Sequence, residues 1–146
     1  MRLEELWSSL NRNWGGKLRA FSRHLAGHYG RITIILFGSR ARGDYSASSD
    51  TDILVIVERF CLEDLKFMLD LAYSYGIVSP ELHVFPLSYV IRNFEGNTLL
   101  MDAIYEGVIL VDNLNITKML KRRLEKILDR LKRTKEGWVL KRQNPL

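Results

Sequence analysis

Cysteine and long apolar runs are what this sequence lacks most clearly. Its 146 residues include one cysteine, Cys61, and no run approaches the about 20 apolar residues of a membrane-spanning helix. A lone cysteine cannot form a disulfide within the chain, and it has no second thiol with which to share a metal. We therefore interpret Cys61 as a small residue near a helix start.

Targeting signals, repeats and internal linkers are also missing from the sequence. The start MRLEELWSSL carries acids where a signal peptide would carry a basic and then an apolar run. We expect a cytoplasmic protein that does not associate with a membrane. The apolar fraction of 47% and the charged fraction of 27% exclude a disordered or fibrous chain. The length predicts a single domain over residues 1–146, alone or as a homo-oligomer.

Charge is distributed unevenly along the chain. Residues 1–115 hold 11 Lys and Arg against 14 Asp and Glu, a charge of −3, whereas residues 116–146 hold 11 against 3, a charge of +8. The pattern predicts a basic amphipathic helix over about 116–135, with Asn115 or Thr117 as its N-cap. Its apolar stripe comprises Ile116, Leu120, Leu124, Ile127, Leu128 and Leu131. Its basic face could meet nucleic acid, an acidic partner or only water.

Four short apolar segments predict the strands of one sheet. They are residues 32–37, 52–57, 81–85 and 108–111, and the third is limited to a short or edge strand by Pro80 and Pro86. Helical periodicity predicts helices over 62–75 and 97–105. Before residue 30 it predicts two helical pieces, or one broken helix, interrupted at Gly15-Gly16. The order predicts an α/β fold with a small mixed sheet of about four strands and helices mainly on one face.

A short polar segment after the first strand is typical of phosphate binding. Gly38 lets backbone amides approach a ligand, and Ser39 offers a hydroxyl at the start of a helical turn whose N–H groups can face an anion. Arg40 and Arg42 could add positive charge for a triphosphate, or be solvated loop residues.

A pair of acids opens the second strand. Residues two apart on a strand share a face, so Asp50 and Asp52 aim their carboxylates at one point. Carboxylates this close repel each other unless a cation lies between them, and Mg²⁺ prefers oxygen ligands of this kind. The two acids therefore predict a magnesium site.

Together, these residues resemble the nucleotidyltransferase superfamily typified by DNA polymerase beta. The shared signature is Gly38-Ser39, a ten-residue spacer, and Asp50-Thr51-Asp52. The sequences of residues 37–43 and 49–53 are similar to those of the minimal nucleotidyltransferases of bacteria and archaea. The resemblance implies transfer of a nucleoside monophosphate to an acceptor hydroxyl. The first expected group is AMP, with ATP as its donor. The resemblance also implies two Mg²⁺ ions, with Asp50 and Asp52 as metal ligands and Gly38 and Ser39 on the phosphates.

The family's third carboxylate lies on a neighbouring strand, and Glu81 is the best match. Glu81 would bind the acceptor-side metal or take the acceptor's proton, although Glu replaces the more frequent Asp. His83, on the same face, is the second choice for an active-site role.

Partners follow from the resemblance. Many minimal members resemble antitoxins that modify a tyrosine on a HEPN-type toxin, so a HEPN-like protein is the first expected acceptor. Nucleic acid is expected to bind weakly and non-specifically, since the chain lacks further domains to hold it. A nucleotide-binding or partner-binding module without turnover remains the alternative, and an aminoglycoside-type transferase is disfavoured because it usually needs another helical domain.

Overall fold

Residues 13–142 are described by the computed structural model. They form six α-helices, one 3₁₀ turn and six strands. The helices are α1 Asn13–Tyr29, α2 Ser39–Arg42, α3 Leu62–Ser74, α4 Leu87–Asn93, α5 Thr98–Glu106 and α6 Thr117–Leu128. The strands are β1 Ile32–Phe37, β2 Thr51–Val57, β3 Pro80–Pro86, β4 Val108–Asp112, β5 Leu131–Thr134 and β6 Gly137–Leu140, and the 3₁₀ turn is Phe94–Gly96.

The first four strands form one mixed sheet in the order β3-β2-β1-β4. β1 runs antiparallel to β2 and β4, whereas β2 and β3 are parallel. The parallel pair needs a crossover, which α3 supplies between the two strands. The predicted α/β fold with a four-stranded mixed sheet is confirmed, and β3 is the predicted edge strand.

Helices cover both faces of the sheet, not mainly one. Every β1 residue is buried, because alternate side chains enter two different cores. Ile32, Ile34 and Leu36 pack with α1 and α3, whereas Ile35 and Phe37 pack with the helices α4, α5 and α6. The sequence pattern of uninterrupted apolar strands is typical of such a two-sided sheet.

The N-terminal part differs from its prediction. The helix α1 begins at Asn13 and passes through Gly15-Gly16 without a break. A glycine inside a helix costs about 1 kcal/mol, and burial of Leu18, Phe21 and Leu25 against the sheet outweighs that cost. The helical piece predicted at residues 3–10 lies outside the described residues.

The C-terminal helix is shorter than predicted. The helix α6 ends at Leu128, and a β5-β6 hairpin follows where the sequence pattern indicated helix to about residue 135. Asp102 of α5 holds this hairpin, since its Oδ1 accepts from Arg133 Nε and Trp138 Nε1, both at 2.8 Å. Tertiary contacts therefore override the helical periodicity here.

The apolar stripe of α6 packs into the core that β1 shares with α4 and α5. Leu120, Leu124 and Ile127 are buried within the chain, and Leu128 and Leu131 pack at the edge of the same core. Neither predicted cap starts the helix; the carboxylate of Asp112 accepts from the N–H groups of Ile116 and Thr117 instead.

Within residues 13–142, none of the helices has the length and apolarity that crossing a bilayer requires.

Candidate active site

Gly38 makes the sharp turn between β1 and α2. Its φ of 77° and ψ of −159° lie in a region that is essentially restricted to glycine. The Gly38 carbonyl accepts from the N–H groups of Ala41 and Arg42, and Ser39 begins the single turn of α2. The turn that the sequence predicts to bind phosphate thus lies at the carboxyl end of a buried strand.

Asp52 lies directly against this turn. It is the register partner of Phe37, the last residue of β1. A Cβ atom added to Gly38 would stand 2.3 Å from Asp52 Oδ2. Glycine is therefore required at position 38 by close approach as well as by backbone conformation.

Three potential metal ligands converge beside the turn. Asp52 and Glu81 are register partners on the parallel strands β2 and β3, so their side chains lie next to each other on one face. His83 follows on the same face, with Nε2 at 3.7 Å from Asp52 Oδ1 and 3.9 Å from Glu81 Oε2. One ligand atom from each residue lies within 4.8 Å of the others. The structure brings together two predicted acids and the second-choice histidine.

The two acids perturb each other in opposite directions. The neighbouring His83 imidazole lowers the pKa of the half-buried Asp52, against the effect of burial. The pKa of Glu81 is raised, first by hydrogen bonding and repulsion from Asp52 and further by Asp50. A bound cation would relieve this repulsion, which is the electrostatic pattern of a metal site.

Asp50 lies at the edge of this cluster. It precedes β2, is exposed, and its Oδ1 accepts from Ser79 Oγ at 2.7 Å. Ser79 has a φ of 45°, and its carbonyl accepts from the Thr51 N–H at 3.0 Å. This contact holds the start of β2 to the start of β3. Asp50 is not among the three converging ligands, so the structure does not bring it to one point with Asp52 as the sequence predicted, although its charge adds to the raised pKa of Glu81.

Arg42 faces an acid that the sequence did not predict. Its Nη1 donates to both carboxylate oxygens of Glu106, at 3.0 and 3.1 Å, and its Nε donates to Asp44. The Gly38 N–H donates to Glu106 Oε1 at 3.3 Å. Burial lowers the pKa of Arg42, but these acids raise it by more. Glu106 thus occupies two donors that were expected to face phosphate.

Arg40 does not have the surroundings of a phosphate ligand. Its side chain is 2% exposed, and Nη2 donates to the carbonyls of Ser49 at 3.0 Å and Ala47 at 3.4 Å. Its guanidinium lies 5.2 Å from the Trp14 ring centroid and 5.0 Å from that of Tyr45. We correct the sequence-based interpretation: Arg40 holds the loop that leads to the acids.

The residues that sequence reasoning missed are Glu106, Ser79 and the aromatic pair around Arg40. Glu106 ends α5, 68 residues after Gly38, so no local pattern links the two. Trp14 donates through Nε1 to Tyr45 Oη at 3.1 Å, and this contact also joins distant segments. Only the tertiary fold brings these groups to the site.

Comparison with known proteins places this geometry in context. A nucleotidyltransferase domain model matches residues 16–136 of the chain. Two candidate protein adenylyltransferases of Methanocaldococcus jannaschii are 42% identical over 67 residues and 40% identical over 45 residues. The matches cover 42% and 30% of this chain, which spans 63% and 46% of these relatives' lengths.

Solved structures with the same fold include two toxin–antitoxin complexes. One was crystallised with AMP-PNP, and the other is a mutant of the toxin–antitoxin MntA–HpeT. Each matched chain has a TM-score of 0.56, with 76% of this chain and 86% of that chain covered. The sequence identities are 16% and 14%, so the likeness concerns the fold.

Proposed function

The chain belongs to the nucleotidyltransferase domain family, and we propose that it transfers AMP from ATP onto an acceptor hydroxyl. The observation that carries the proposal is the convergence of Asp52, Glu81 and His83 beside the Gly38 turn. Transfer of a nucleotide from a triphosphate to a hydroxyl requires an anion-binding turn next to a cluster of metal ligands. The two M. jannaschii relatives, named as candidate protein adenylyltransferases, support AMP as the transferred group.

The acids fit divalent cations. Carboxylates are preferred ligands of Mg²⁺, and the raised pKa of Glu81 reflects negative charge that a cation would balance. Asp50, Asp52 and Glu81 would hold the metal, and the expected number is two ions. A bound cation supplies Lewis-acid charge that offsets the negative charge of the transferred phosphoryl group.

The triphosphate would lie over the Gly38 turn. The Gly38 N–H, the Ser39 hydroxyl at the start of α2 and the Arg42 guanidinium are its proposed donors. The Arg42 side chain is 43% exposed, so its guanidinium can move from Glu106 to a phosphate. Arg40 is not among the donors, since the carbonyls of the loop already use its guanidinium.

Glu81 would receive the acceptor hydroxyl. Its side chain is 51% exposed at the mouth of the site, whereas Asp52 is 22% exposed beneath it. A substrate hydroxyl can therefore reach Glu81, which would take its proton as the oxygen attacks the α-phosphorus and pyrophosphate leaves.

A tyrosine of a HEPN-type partner is the proposed acceptor. The support is that both structural neighbours come from toxin–antitoxin complexes, one of them with an ATP analogue. The family resemblance implies the same class of partner.

Transfer of label from α-³²P-ATP tests the proposal. The full chain is incubated with Mg²⁺ or Mn²⁺ and with the proteins encoded by its neighbouring genes as candidate acceptors. We expect label on a partner tyrosine, its loss in Asp52→Asn and Asp50→Asn, and its retention in Asp70→Asn, an exposed acid on α3. ATP binding without transfer to any acceptor would identify a nucleotide-binding module and reject the enzyme.

A further inference from the structure

His83 stands where the family resemblance leads us to expect only carboxylates. Its Nε2 lies 3.7 Å from Asp52 Oδ1 and 3.9 Å from Glu81 Oε2, too far for hydrogen bonds. Neighbouring ligands around an octahedral ion with bonds of 2.0–2.1 Å lie about 3 Å apart. Small side-chain rotations would therefore close these three atoms around one ion.

The fold orients the His83 ring toward the acids. His83 is the register partner of Leu54, two residues along β3 from Glu81, so both side chains leave the strand on one face. Its ring packs against Phe37, with centroids 5.4 Å apart. Phe37 is itself the register partner of Asp52. The imidazole is thus supported by an apolar ring and remains 28% exposed on the side of the acids.

We propose that His83 Nε2 is a metal ligand together with Asp52 and Glu81, and that this nitrogen makes the site favour a first-row transition metal over Mg²⁺. Mg²⁺ is a hard cation that takes oxygen ligands, whereas an imidazole ligand raises the affinity of later first-row ions such as Co²⁺. The inference rests on the metal site of the proposed function, but not on nucleotide transfer.

The alternative role for His83 is a cationic partner of the two acids. In that role it would set the charge of the site and affect every divalent cation alike. As a ligand, it affects ions according to their preference for nitrogen. The ratio of two metal affinities therefore separates the two roles, whereas a single affinity does not.

Titration calorimetry of Co²⁺ and Mg²⁺ binding to the full chain measures this ratio. His83→Gln replaces the nitrogen by an amide oxygen of similar reach. We expect its Co²⁺ affinity to fall at least about 10-fold while Mg²⁺ affinity changes by less than about 3-fold. His28→Gln, on the exposed side of α1, should keep both affinities. An unchanged Co²⁺-to-Mg²⁺ ratio in His83→Gln would overturn the proposal.

A measurement on the wild-type chain covers the case in which His83→Gln does not fold. Electron spin echo envelope modulation of the Mn²⁺-loaded protein detects nitrogen bound directly to the ion. We expect the coupling of one imidazole, and its absence would reject His83 as a ligand. Asp52→Asn, which removes another ligand of the same ion, should lose this nitrogen coupling. Since neither measurement uses ATP or an acceptor, a protein that binds Mn²⁺ through His83 but transfers nothing would refute the proposed function alone.

Discussion

Replacing Gly38 by alanine tests how closely the phosphate turn and the acids depend on each other. The new Cβ would stand 2.3 Å from Asp52 Oδ2, whereas Cβ atoms essentially never approach another atom within 3.0 Å. The carboxylate must therefore move by about 0.7 Å or more. A displacement near 1 Å at a reacting centre lowers rates by roughly 100-fold. The glycine-only backbone of residue 38 adds a destabilisation of about 1–3 kcal/mol.

Gly30→Ala is the matched control for this change. Gly30 has a φ of 73°, close to the 77° of Gly38, but a Cβ at Gly30 meets no atom within 4 Å. Alanine at position 30 should lower the free energy of unfolding by about 1–2 kcal/mol, which corresponds to a fall in Tm of roughly 3–8 °C. We expect both variants to lose stability in a thermal unfolding experiment, and only Gly38→Ala to lose metal binding and AMP transfer as well.

Calorimetric titration with Mn²⁺, below the Tm of both variants, decides the result. The reasoning is refuted if Gly38→Ala binds Mn²⁺ as tightly as Gly30→Ala, because Asp52 would then tolerate the added atom without loss of its role. Weaker binding in both variants would show that positive φ at a glycine, and not contact with Asp52, controls the site.

Four further changes test other parts of the structure. Glu106→Gln should tighten ATP binding, because it removes the charge that holds Arg42 and the Gly38 N–H; weaker binding in a nucleotide titration would show that Glu106 instead orients Arg42. Arg40→Lys should lower the free energy of urea unfolding by about 2 kcal/mol, since an ammonium cannot reproduce the planar guanidinium contacts; an unchanged midpoint contradicts this. Burial raises the pKa of Asp112, but hydrogen bonds from Thr117 and Thr33 lower it by more, so wild-type stability should fall as the pH drops below the ordinary carboxyl value near 4; Asp112→Asn should lose less stability than the wild type over the same pH range in acid unfolding curves, and equal losses would contradict this. RNA binding through the exposed Lys121, Arg122 and Arg130 should weaken steeply with salt, with a log–log slope of about −0.7 per phosphate on single strands; tight, salt-resistant binding would make RNA the acceptor.

Part of the positive charge at the C-terminal end is neutralised within the chain. Arg123 pairs with Glu95, whose pKa it lowers, and Arg133 pairs with Asp102. Lys121 and Arg122 of α6 and Arg130 after it are exposed, so the charge asymmetry seen in the sequence persists as a smaller surface feature.

Elements with a strong local pattern could be predicted from the sequence. The strand Ile32–Phe37 has the predicted bounds, because an uninterrupted β-branched run that is buried on both sides has no competing arrangement. The helix α3 begins at the predicted Leu62 and ends at Ser74, one residue before the predicted end at residue 75. Cys61 lies at the start of α3, as interpreted, where its backbone N–H donates to Asp64.

The sequence by itself also determined the parts of the site that are contiguous. Gly38-Ser39 and Asp50-Thr51-Asp52 flank one loop between antiparallel strands, so their proximity follows from chain connectivity. The assignment of Glu81 required only that β3 lie beside β2 and in parallel, which a single crossover helix favours.

Only the tertiary structure decided the roles of residues that meet from distant segments. The sequence favours Arg40 as a phosphate ligand. In the structure its guanidinium packs against Trp14 and Tyr45 and donates to the carbonyls of Ala47 and Ser49. Likewise Glu106 reaches the Gly38 turn from α5, and Asp102 converts the end of a predicted helix into a hairpin. Local periodicity reports only on residues within one helix or strand, whereas these contacts depend on how the helices and strands pack. Burying an unpaired charge is costly, so the packed arrangement is one in which each buried charged group has a partner.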